Sequence, residues 1–567
     1  MKYLAPIIAG LALVACDLDP SATGTDPASQ AGHAPAMADT LPDIPALNIE
    51  AHIRFLASNE LAGRDTGSEG YQIAANYVAA QMRLLGLEPA GDDGSYFAQV
   101  PLQHIRADAS YNQFTLDGVT YDQGESVYVQ LNPSLAESEI TGEVVFVGHG
   151  VSAPMHGHDD YAGLDVTGKI VAIIGGIPDG LPSEEAAHHR SATRDNAAAH
   201  GAIGVITLSS WDDEQTSAFA NGPATSTSTR LTAASGRTNY DQLQVSAYVS
   251  TSLGAALFEG AEMSLEDVRA AMDAEEGASY PRFALPHTVT MRQRSISETF
   301  SDPNVVGMLR GSDPELAAEV VVLTAHLDHI GVAHAEGGGH GGGCQANDAG
   351  DEICNGALDN AAGVAVMLET ARTFIQHGTP RRSVLFVALA GEEQGLLGSE
   401  HFARNPTVPA ASIVANVNLD MPVIAYEFSD VLAFGGEHSN LGPIAERAAA
   451  RLGMPVSPDP IPEENIFVRS DHYSFVRQGI PSIMLATGFS SPDPRWDEGE
   501  GFMGFLQTHY HEPSDQLDGE LEVLFDQGAK FANVNYLIAR EIADSDEGVA
   551  WNEGDFFGDL FGGAAED

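Results

Sequence analysis

Three apolar runs in the second half of the chain each end in a polar residue of a type that binds metal ions. The runs and the residues that follow them are 320–325 before His326, 384–390 before Gly391 and Glu392, and 413–419 before Asp420. Apolar runs of this length that alternate with helical patterns are typical of buried parallel strands. Because parallel strands end at one edge of a sheet, these residues are expected to lie together there. The sequence therefore predicts an α/β fold with a mixed, largely parallel sheet flanked by helices.

Two further residues complete a candidate metal site. Asp359 precedes a helical pattern at 361–375, and His511 lies in a loop before another at 521–542. Taken alone, Asp359 is typical of a helix N-cap and His511 of an ordinary loop. Together with His326, Glu393 and Asp420 they supply two imidazoles and three carboxylates. This set predicts a site for two Zn²⁺ ions about 3.5 to 4 Å apart, with one carboxylate bridging them.

The motifs around these residues resemble those of the two-zinc aminopeptidase family, in the same order along the chain. That family includes bacterial leucyl-type aminopeptidases, aminopeptidase Y, glutamate carboxypeptidase and glutaminyl cyclase. The matching motifs are His326-x-Asp328, Gly-Ala-Leu-Asp-Asn-Ala-Ala-Gly at 356–363, Gly-Glu-Glu-Gln-Gly-Leu-Leu-Gly-Ser at 391–399, Asn-Leu-Asp-Met at 418–421 and Tyr-His-Glu-Pro at 510–513, with further likeness at 61–64 and 470–475. The resemblance covers nearly all of the chain after its first residues.

The resemblance implies a role for each residue of the site. Asp359 would bridge the metals and follow the family in a cis peptide bond to Asn360. The remaining ligands would be His326 and Asp420 on one metal, and Glu393 and His511 on the other. Glu392 would be the general base that activates a water bridged between the metals. Asp328 would orient His326 by accepting its free imidazole proton.

The implied function is a zinc-dependent exopeptidase that removes N-terminal residues from peptides. A carboxypeptidase or dipeptidase on the same scaffold stays open, and it would need a basic pocket, for which Arg469 and Arg495 are the nearby candidates. A glutaminyl cyclase would share the scaffold but bind one zinc ion. A non-catalytic receptor like the transferrin receptor is the alternative from another class, and the intact ligands and Glu392 argue against it.

A second region of the chain, residues 138–286, alternates short apolar strands with turns and contains no cluster of metal-type ligands. Its segments 160–171 and 196–202 resemble the protease-associated domain, a β-rich insert of several exopeptidases. The predicted domains are a signal peptide (1–16), a flexible linker (17–41), the N-terminal part of the peptidase domain (42–137), the insert (138–286), the catalytic zinc peptidase domain (287–544) and an acidic tail (545–567).

The first residues predict export and a membrane anchor. Lys2 precedes an apolar run that is too short to span a bilayer, and Leu-Val-Ala-Cys at 13–16 resembles the lipobox of bacterial lipoproteins. Cys16 would then carry the lipid and hold the protein on the outer side of a membrane in the bacterial cell envelope. The alternative is a plain cleaved signal peptide with an incidental cysteine.

The other two cysteines, Cys344 and Cys354, are predicted to form a disulfide, because a pair in an exported protein is typically bridged. The glycine-rich segment 335–343 before them is interpreted either as a lid over the site or as a surface loop. His334 and His340 are left out of the ligand set, since holding them in such a loop would cost too much entropy.

The composition restricts the partners. The chain has 80 acidic and 26 basic residues, a formal net charge of −54. Nucleic acid and anionic lipid would be repelled, so peptides are the expected partners, and the membrane is reached through the lipid anchor only. The sequence does not predict the oligomeric state.

Overall fold

The computed structural model of the chain describes residues 41–178, 180–222, 227–233, 239–274, 280–333 and 343–563. Its strands form a main sheet and a second sheet, which one long strand joins, and a separate two-stranded pair. The predictions for Cys16, for the linker up to residue 40, for His334 and His340 and for most of the glycine-rich segment lie outside the described residues. In the described parts of the chain, no helix is both long and apolar enough to cross a membrane.

Two helices precede the first strands. The first elements are α1 (Ala46–Leu56), α2 (Glu69–Leu85), β1 (Glu88–Pro89) and β2 (Phe97–Ala107), with a 3-10 segment at Asn59–Arg64. Ser68 caps α2 by accepting a hydrogen bond from the main-chain N–H of Tyr71. Gly86 ends the helix in the left-handed region at φ 82°, which costs glycine little because it has no Cβ.

A β-rich region follows. Its elements are β3 (Gln113–Leu116), β4 (Val119–Asp122), β5 (Val127–Val129), β6 (Glu137–Phe146), β7 (Ser152–Ala153), β8 (His158–Asp159), β9 (Ile170–Ile173), α3 (Ser183–Ser191), α4 (Thr193–Ala199), β10 (Gly204–Leu208), α5 (Asp213–Asn221), β11 (Ser228–Leu231), α6 (Asn239–Gln242), β12 (Val245–Val249), α7 (Thr251–Leu257) and α8 (Leu265–Ala274). Most of these strands form the second sheet, which has its own core around Phe114, Phe146 and Ile206. Strand β11 instead pairs with β2 in the main sheet.

Strand β13 (Phe283–Leu309) connects the two sheets. Its first part pairs with β6 and β3, and its last part pairs with β2. The second sheet therefore uses strands from residue 113 to residue 294, whereas the predicted insert spans 138 to 286. The assignment of this region to a protease-associated domain stays a prediction.

The main sheet carries the parallel strands that the sequence predicts. The remaining elements are β14 (Val320–His326), α9 (Ala362–His377), β15 (Ser383–Leu389), α10 (Leu397–Arg404), β16 (Ile413–Leu419), β17 (Val431–Phe434), α11 (Leu441–Ala450), β18 (Val456–Ser457), α12 (His472–Val476), β19 (Ser482–Thr487), α13 (Glu500–Thr508), α14 (Phe525–Asp544) and α15 (Phe556–Phe561). Strands β15, β14, β16 and β19 lie side by side and run parallel, while β13 and β17 pair antiparallel at either side. Every residue of β14 and β15 is buried, as expected for strands covered on both faces.

Helices cover both faces of the main sheet. On one face α1, α9 and α14 pack together over a large apolar core. On the other face Phe402 of α10 and Phe475 of α12 pack against strand residues such as Val322. The predicted fold class, a mixed and largely parallel sheet flanked by helices, is confirmed.

The acidic tail packs on the body as far as α15. Phe556 and Phe557 of α15 are buried against Phe467 and Tyr473. The indole N–H of Trp551 donates a hydrogen bond to the main-chain oxygen of Gly479 at 2.9 Å. Two aromatic side chains buried in this way supply apolar area that holds the tail in place.

Candidate metal centre

The first half of the candidate site is built at the carboxyl ends of β14 and β16. His326 is the last residue of β14, and Asp420 follows β16 directly. The Nε2 atom of His326 lies 3.0 Å from Asp420 Oδ1 and 3.1 Å from Asp359 Oδ1. Since β14 and β16 are parallel neighbours, these residues reach the same edge of the sheet.

The second half of the site shares Asp359 with the first. His511 Nε2 lies 3.3 Å from Asp359 Oδ2 and 3.0 Å from Glu393 Oε2. The two oxygens of Asp359 thus face different histidines, which is the arrangement that a bridging carboxylate needs. The structure therefore brings together all of the ligands proposed from the sequence: His326, Asp359, Glu393, Asp420 and His511.

Asp359 is fixed by its surroundings. The carboxylate of Asp515 accepts hydrogen bonds from the main-chain N–H groups of Leu358 and Asp359. The side chain of Asn360 donates to the main-chain oxygen of Leu419, beside Asp420. The peptide bond between Asp359 and Asn360 is cis, as the resemblance implies. The loop before α9 is thereby tied to the end of β16.

Glu392 lies beside both halves of the site. Ligand atoms of His326, Glu392 and Glu393 lie within 4.8 Å of one another. Burial, with Asp420 and Glu393 nearby, raises the pKa of Glu392 well above its usual range, although His326 opposes this. The carboxyl group is thus in an environment that favours holding a proton.

The position of Asp328 corrects the predicted hydrogen bond. Its carboxylate does not accept from His326; it accepts from the main-chain N–H groups of Glu392 at 3.1 Å and Glu393 at 3.4 Å. His326 Nδ1 lies instead 3.2 Å from the main-chain oxygen of Asp328. Because β14 and β15 are parallel neighbours in register, they end side by side. The carboxylate of Asp328, just after β14, therefore reaches the start of the loop that follows β15. Asp328 therefore orients the Glu392–Glu393 segment.

His329 belongs to the site and is missing from the predicted set. Its Nδ1 lies 2.7 Å from Glu393 Oε1 and 3.9 Å from Asp359 Oδ2, and its side chain is fully buried. It follows the His-x-Asp motif directly, so the pattern His-x-Asp-His at 326–329 is the sequence signal that could have identified it. His329 either binds Oε1 of Glu393, the oxygen that does not face His511, or adds a third imidazole to the half of the site that contains Glu393 and His511.

The donor set fits two divalent cations. The main-chain oxygen beside His326 Nδ1 can only accept, so that nitrogen carries a proton and Nε2 is left to face two carboxylates. His511 Nε2 is buried and makes no hydrogen bond of good geometry. The carboxylates gathered around these imidazoles bring excess negative charge into a buried site, and cations between the ligand atoms would offset it. Nitrogen and oxygen ligands of this kind suit Zn²⁺.

The predicted disulfide between Cys344 and Cys354 is present, with Cα atoms 5.7 Å apart. Cys354 Sγ lies 3.8 Å from the main-chain oxygen of His511. The bridge therefore packs against the loop that carries a candidate ligand.

Comparisons with known proteins agree with this chemistry. Residues 304–526 match the sequence model described as Peptidase family M28. A probable zinc metalloprotease of Pyrenophora tritici-repentis (strain Pt-1C-BFP) is 48% identical over 66 residues, which are 12% of this chain and 15% of that protein. Aminopeptidase YwaD of Bacillus subtilis (strain 168) is 28% identical over 223 residues, 38% of this chain and 40% of that protein. The chain thus spans about one seventh of the first of these relatives and two fifths of the second.

Among solved structures, an aminopeptidase from Aneurinibacillus sp. strain AM-1 aligns with a TM-score of 0.45 at 20% identity, over 89% of this chain and 95% of that one. BSAP, a zinc aminopeptidase from Bacillus subtilis, aligns with a TM-score of 0.41 at 17% identity, over 90% of this chain and 97% of that one.

Proposed function

We propose, on the premise that residues 304–526 belong to peptidase family M28, that the chain is a zinc-dependent exopeptidase that hydrolyses N-terminal residues from peptides. The observation that carries this proposal is Asp359, whose two oxygens face one histidine each. A carboxylate shared in this way supports two cations at one site. The curated relatives named as zinc metalloproteases and as an aminopeptidase support zinc and the amino end of the substrate.

The ligands divide between two zinc ions. His326 and Asp420 would hold one ion, Glu393 and His511 the other, and Asp359 both. When bound, the zinc ions polarise the scissile carbonyl, stabilise negative charge on its oxygen and make water easier to deprotonate. Without cations, burying these carboxylates together would cost several kcal/mol for each unpaired charge.

Glu392 would act as the general base. It would take a proton from the attacking water on a carboxylate oxygen and pass that proton to the nitrogen of the leaving amine, which balances the hydrolysis. Asp328 would hold the main chain of Glu392 in place through the hydrogen bonds described above. His329 would hold the outer oxygen of Glu393.

The proposal of cleavage at the amino end is tested by substrate blocking. Purified protein is assayed on aminoacyl chromogenic substrates. It is also assayed on a set of peptides, each prepared once with a free and once with an acetylated N-terminus. Cleavage of free amino termini only is expected. Cleavage of blocked peptides at their C-terminal residue would favour the carboxypeptidase alternative. The basic residues considered for that alternative already have partners, since Arg469 pairs with Glu464 and Arg495 with Asp493.

We also propose that the protein is exported and carries a lipid on Cys16, because the residues before it resemble a lipobox. Metabolic labelling with a fatty acid and fractionation of cells test this. Wild type is expected to label and to sediment with membranes, and Cys16→Ser to do neither. A soluble, unlabelled wild type would favour a plain cleaved signal peptide.

A further inference from the structure

Arg64 is a buried arginine whose partners are almost entirely main-chain oxygens. It is 1% exposed, and among the described residues it forms no ion pair. Its guanidinium donates to Leu327 O at 2.9 Å, to Asn355 O at 2.6 Å, to Gly356 O at 3.0 Å and to Leu56 O. A buried charge without a paired carboxylate is costly, so this arrangement calls for a specific role.

Three of the four bonded oxygens belong to the loop that follows His326 and to the loop that carries Asp359; the fourth, Leu56 O, ends α1. Leu327 lies between His326 and Asp328, at the end of β14, and Asn355 and Gly356 lead into Asp359. A single planar guanidinium therefore joins the loop after His326 to the loop that carries the bridging ligand Asp359. Its rigid fork of donors fixes both loops at once, which a flexible ammonium does less well.

The main chain around Arg64 is bonded to the first of these loops as well. The N–H of His329 donates to Arg64 O at 3.3 Å, and the N–H of Gly331 donates to Gly63 O at 3.1 Å. Gly63 and Arg64 both have positive φ, 70° and 49°. A Cβ on Gly63 would lie 2.3 Å from the oxygen of Gly331 and 2.5 Å from that of Cys354, so only glycine allows this close approach.

The charge of Arg64 also matters for the site. Its neighbours include the carboxylates of Asp515, Asp359, Asp328 and Glu393, which it does not touch. Burial lowers the pKa of Arg64 to about 10, which leaves it charged at neutral pH. A fixed cation behind the centre offsets part of the negative charge that the ligands bring together.

We propose that Arg64 is a positioning residue of the metal centre: its guanidinium sets the distance between the loop that follows His326 and the loop that carries Asp359. The inference rests on the proposed function, since it assumes that those residues bind zinc. Residues that orient metal ligands typically change metal affinity or activity 10- to 100-fold when they are mutated.

Arg382 provides a matched control. It is 3% exposed and also donates to main-chain oxygens, at Ile542 and Ser545, while pairing with Glu319. It lies before β15, at the opposite end of that strand from Glu392. Loss of Arg382 should therefore weaken the fold without changing the metal site.

The experiment compares Arg64→Gln, Arg64→Lys and Arg382→Gln with wild type. Two quantities are measured for each protein: the zinc dissociation constant, by competition with a chelator, and the midpoint of thermal unfolding of the metal-free form. We expect zinc binding to weaken at least 10-fold in Arg64→Gln and to a smaller extent in Arg64→Lys. Arg382→Gln should lower the unfolding midpoint while its zinc affinity stays within about twofold of wild type.

Unchanged zinc affinity in both Arg64 variants, with a lowered unfolding midpoint, would overturn the inference and leave Arg64 an ordinary core residue. If Arg64→Gln does not fold, Arg64→Lys carries the same test, because it keeps the charge and loses the fork. If wild type and the Arg64 variants bind zinc equally well, only this inference is contradicted. A wild type that binds no zinc contradicts the proposed function, and the inference with it.

Discussion

Two regions of the molecule place a histidine between carboxylates at nearly the same distance. In the metal centre, His326 Nε2 lies 3.0 Å from Asp420 Oδ1. Between the β-rich region and the tail, His438 Nε2 lies 2.9 Å from Glu184 Oε2 of α3, and His438 Nδ1 lies 2.7 Å from Asp555 Oδ2. We call the group Glu184, His438 and Asp555 the ion triad. Glu437 lies next to it.

The two regions differ in how far their charged groups are exposed to water. In the metal centre three imidazoles face four carboxyl groups, and the side chains of His326 and Asp359 are only 1% and 3% exposed. In the ion triad one protonated imidazole faces two carboxylates, all three side chains are at least 10% exposed, and Glu437 is exposed. Water can screen the excess negative charge of the ion triad, whereas the carboxyl groups of the buried metal centre can be charged together only with cations beside them. The type and spacing of residues alone therefore do not identify a metal site.

The largest expected effect separates the adjacent acids Glu392 and Glu393. Glu392→Gln keeps the shape and removes the base, so we expect both zinc ions to stay while kcat falls by on the order of 10²- to 10⁴-fold. Glu393→Gln should lose one zinc ion, because a neutral amide is a poorer ligand, and added zinc should restore part of the activity. Zinc content and kcat are measured for each purified variant. Loss of zinc in Glu392→Gln with retention in Glu393→Gln would reverse the two roles.

A smaller effect is expected from Asp328→Asn. An asparagine has one acceptor oxygen, so it can keep only one of the two main-chain bonds to Glu392 and Glu393. We expect kcat/KM to fall about 10- to 100-fold with zinc retained. Asp160→Asn is the control, since Asp160 is a buried carboxylate that also accepts from a main-chain N–H, in the β-rich region. If kcat/KM of Asp328→Asn equals that of wild type, Asp328 does not position Glu392 and Glu393.

His438→Gln tests the other side of the comparison. The change leaves Glu184 and Asp555 without their cation, so the free energy of unfolding should fall by about 1 to 3 kcal/mol. Zinc content and kcat should stay at the wild-type values. Denaturant unfolding and metal analysis measure both. A loss of zinc in this variant would show that the ion triad is a metal site and that the two regions do not differ in this respect.

The smallest effect is a pH dependence of stability. Burial alone would lower the pKa of His438, but hydrogen bonds to Asp555 and Glu184 outweigh it and raise the pKa from 6.5 to about 9. Because the folded-state pKa is the higher one, this contribution is fully present below about pH 6.5 and is lost as the pH rises through about 9. Unfolding of zinc-loaded wild type and His438→Gln is followed across this window. The two proteins should converge toward high pH, and a constant difference would contradict a protonated His438.

The sequence predicted the strands and the ligands for a physical reason. Buried parallel strands are continuous apolar runs, so their ends, and hence His326, Glu393 and Asp420, could be located. The ordered motifs added Asp359 and His511 through resemblance.

Other contacts had no such signal. Three of the hydrogen bonds of Arg64 join main-chain oxygens that lie more than 260 residues away, and those of Asp328 join main-chain N–H groups of the loop after β15. The ion triad joins Glu184 and Asp555 through His438, across 254 and 117 residues. Contacts between distant segments follow from the packing of the whole fold, and neither apolar periodicity nor local spacing encodes them.

The most direct test of the central claim is the zinc content of the purified wild-type chain, measured by elemental analysis together with native mass spectrometry. We expect two zinc ions per chain, one retained in Glu393→Gln and two in both Glu392→Gln and His438→Gln. A single ion in the active wild type would favour chemistry of the glutaminyl cyclase kind. A wild type that is folded and binds no zinc would contradict the assignment of these residues as zinc ligands.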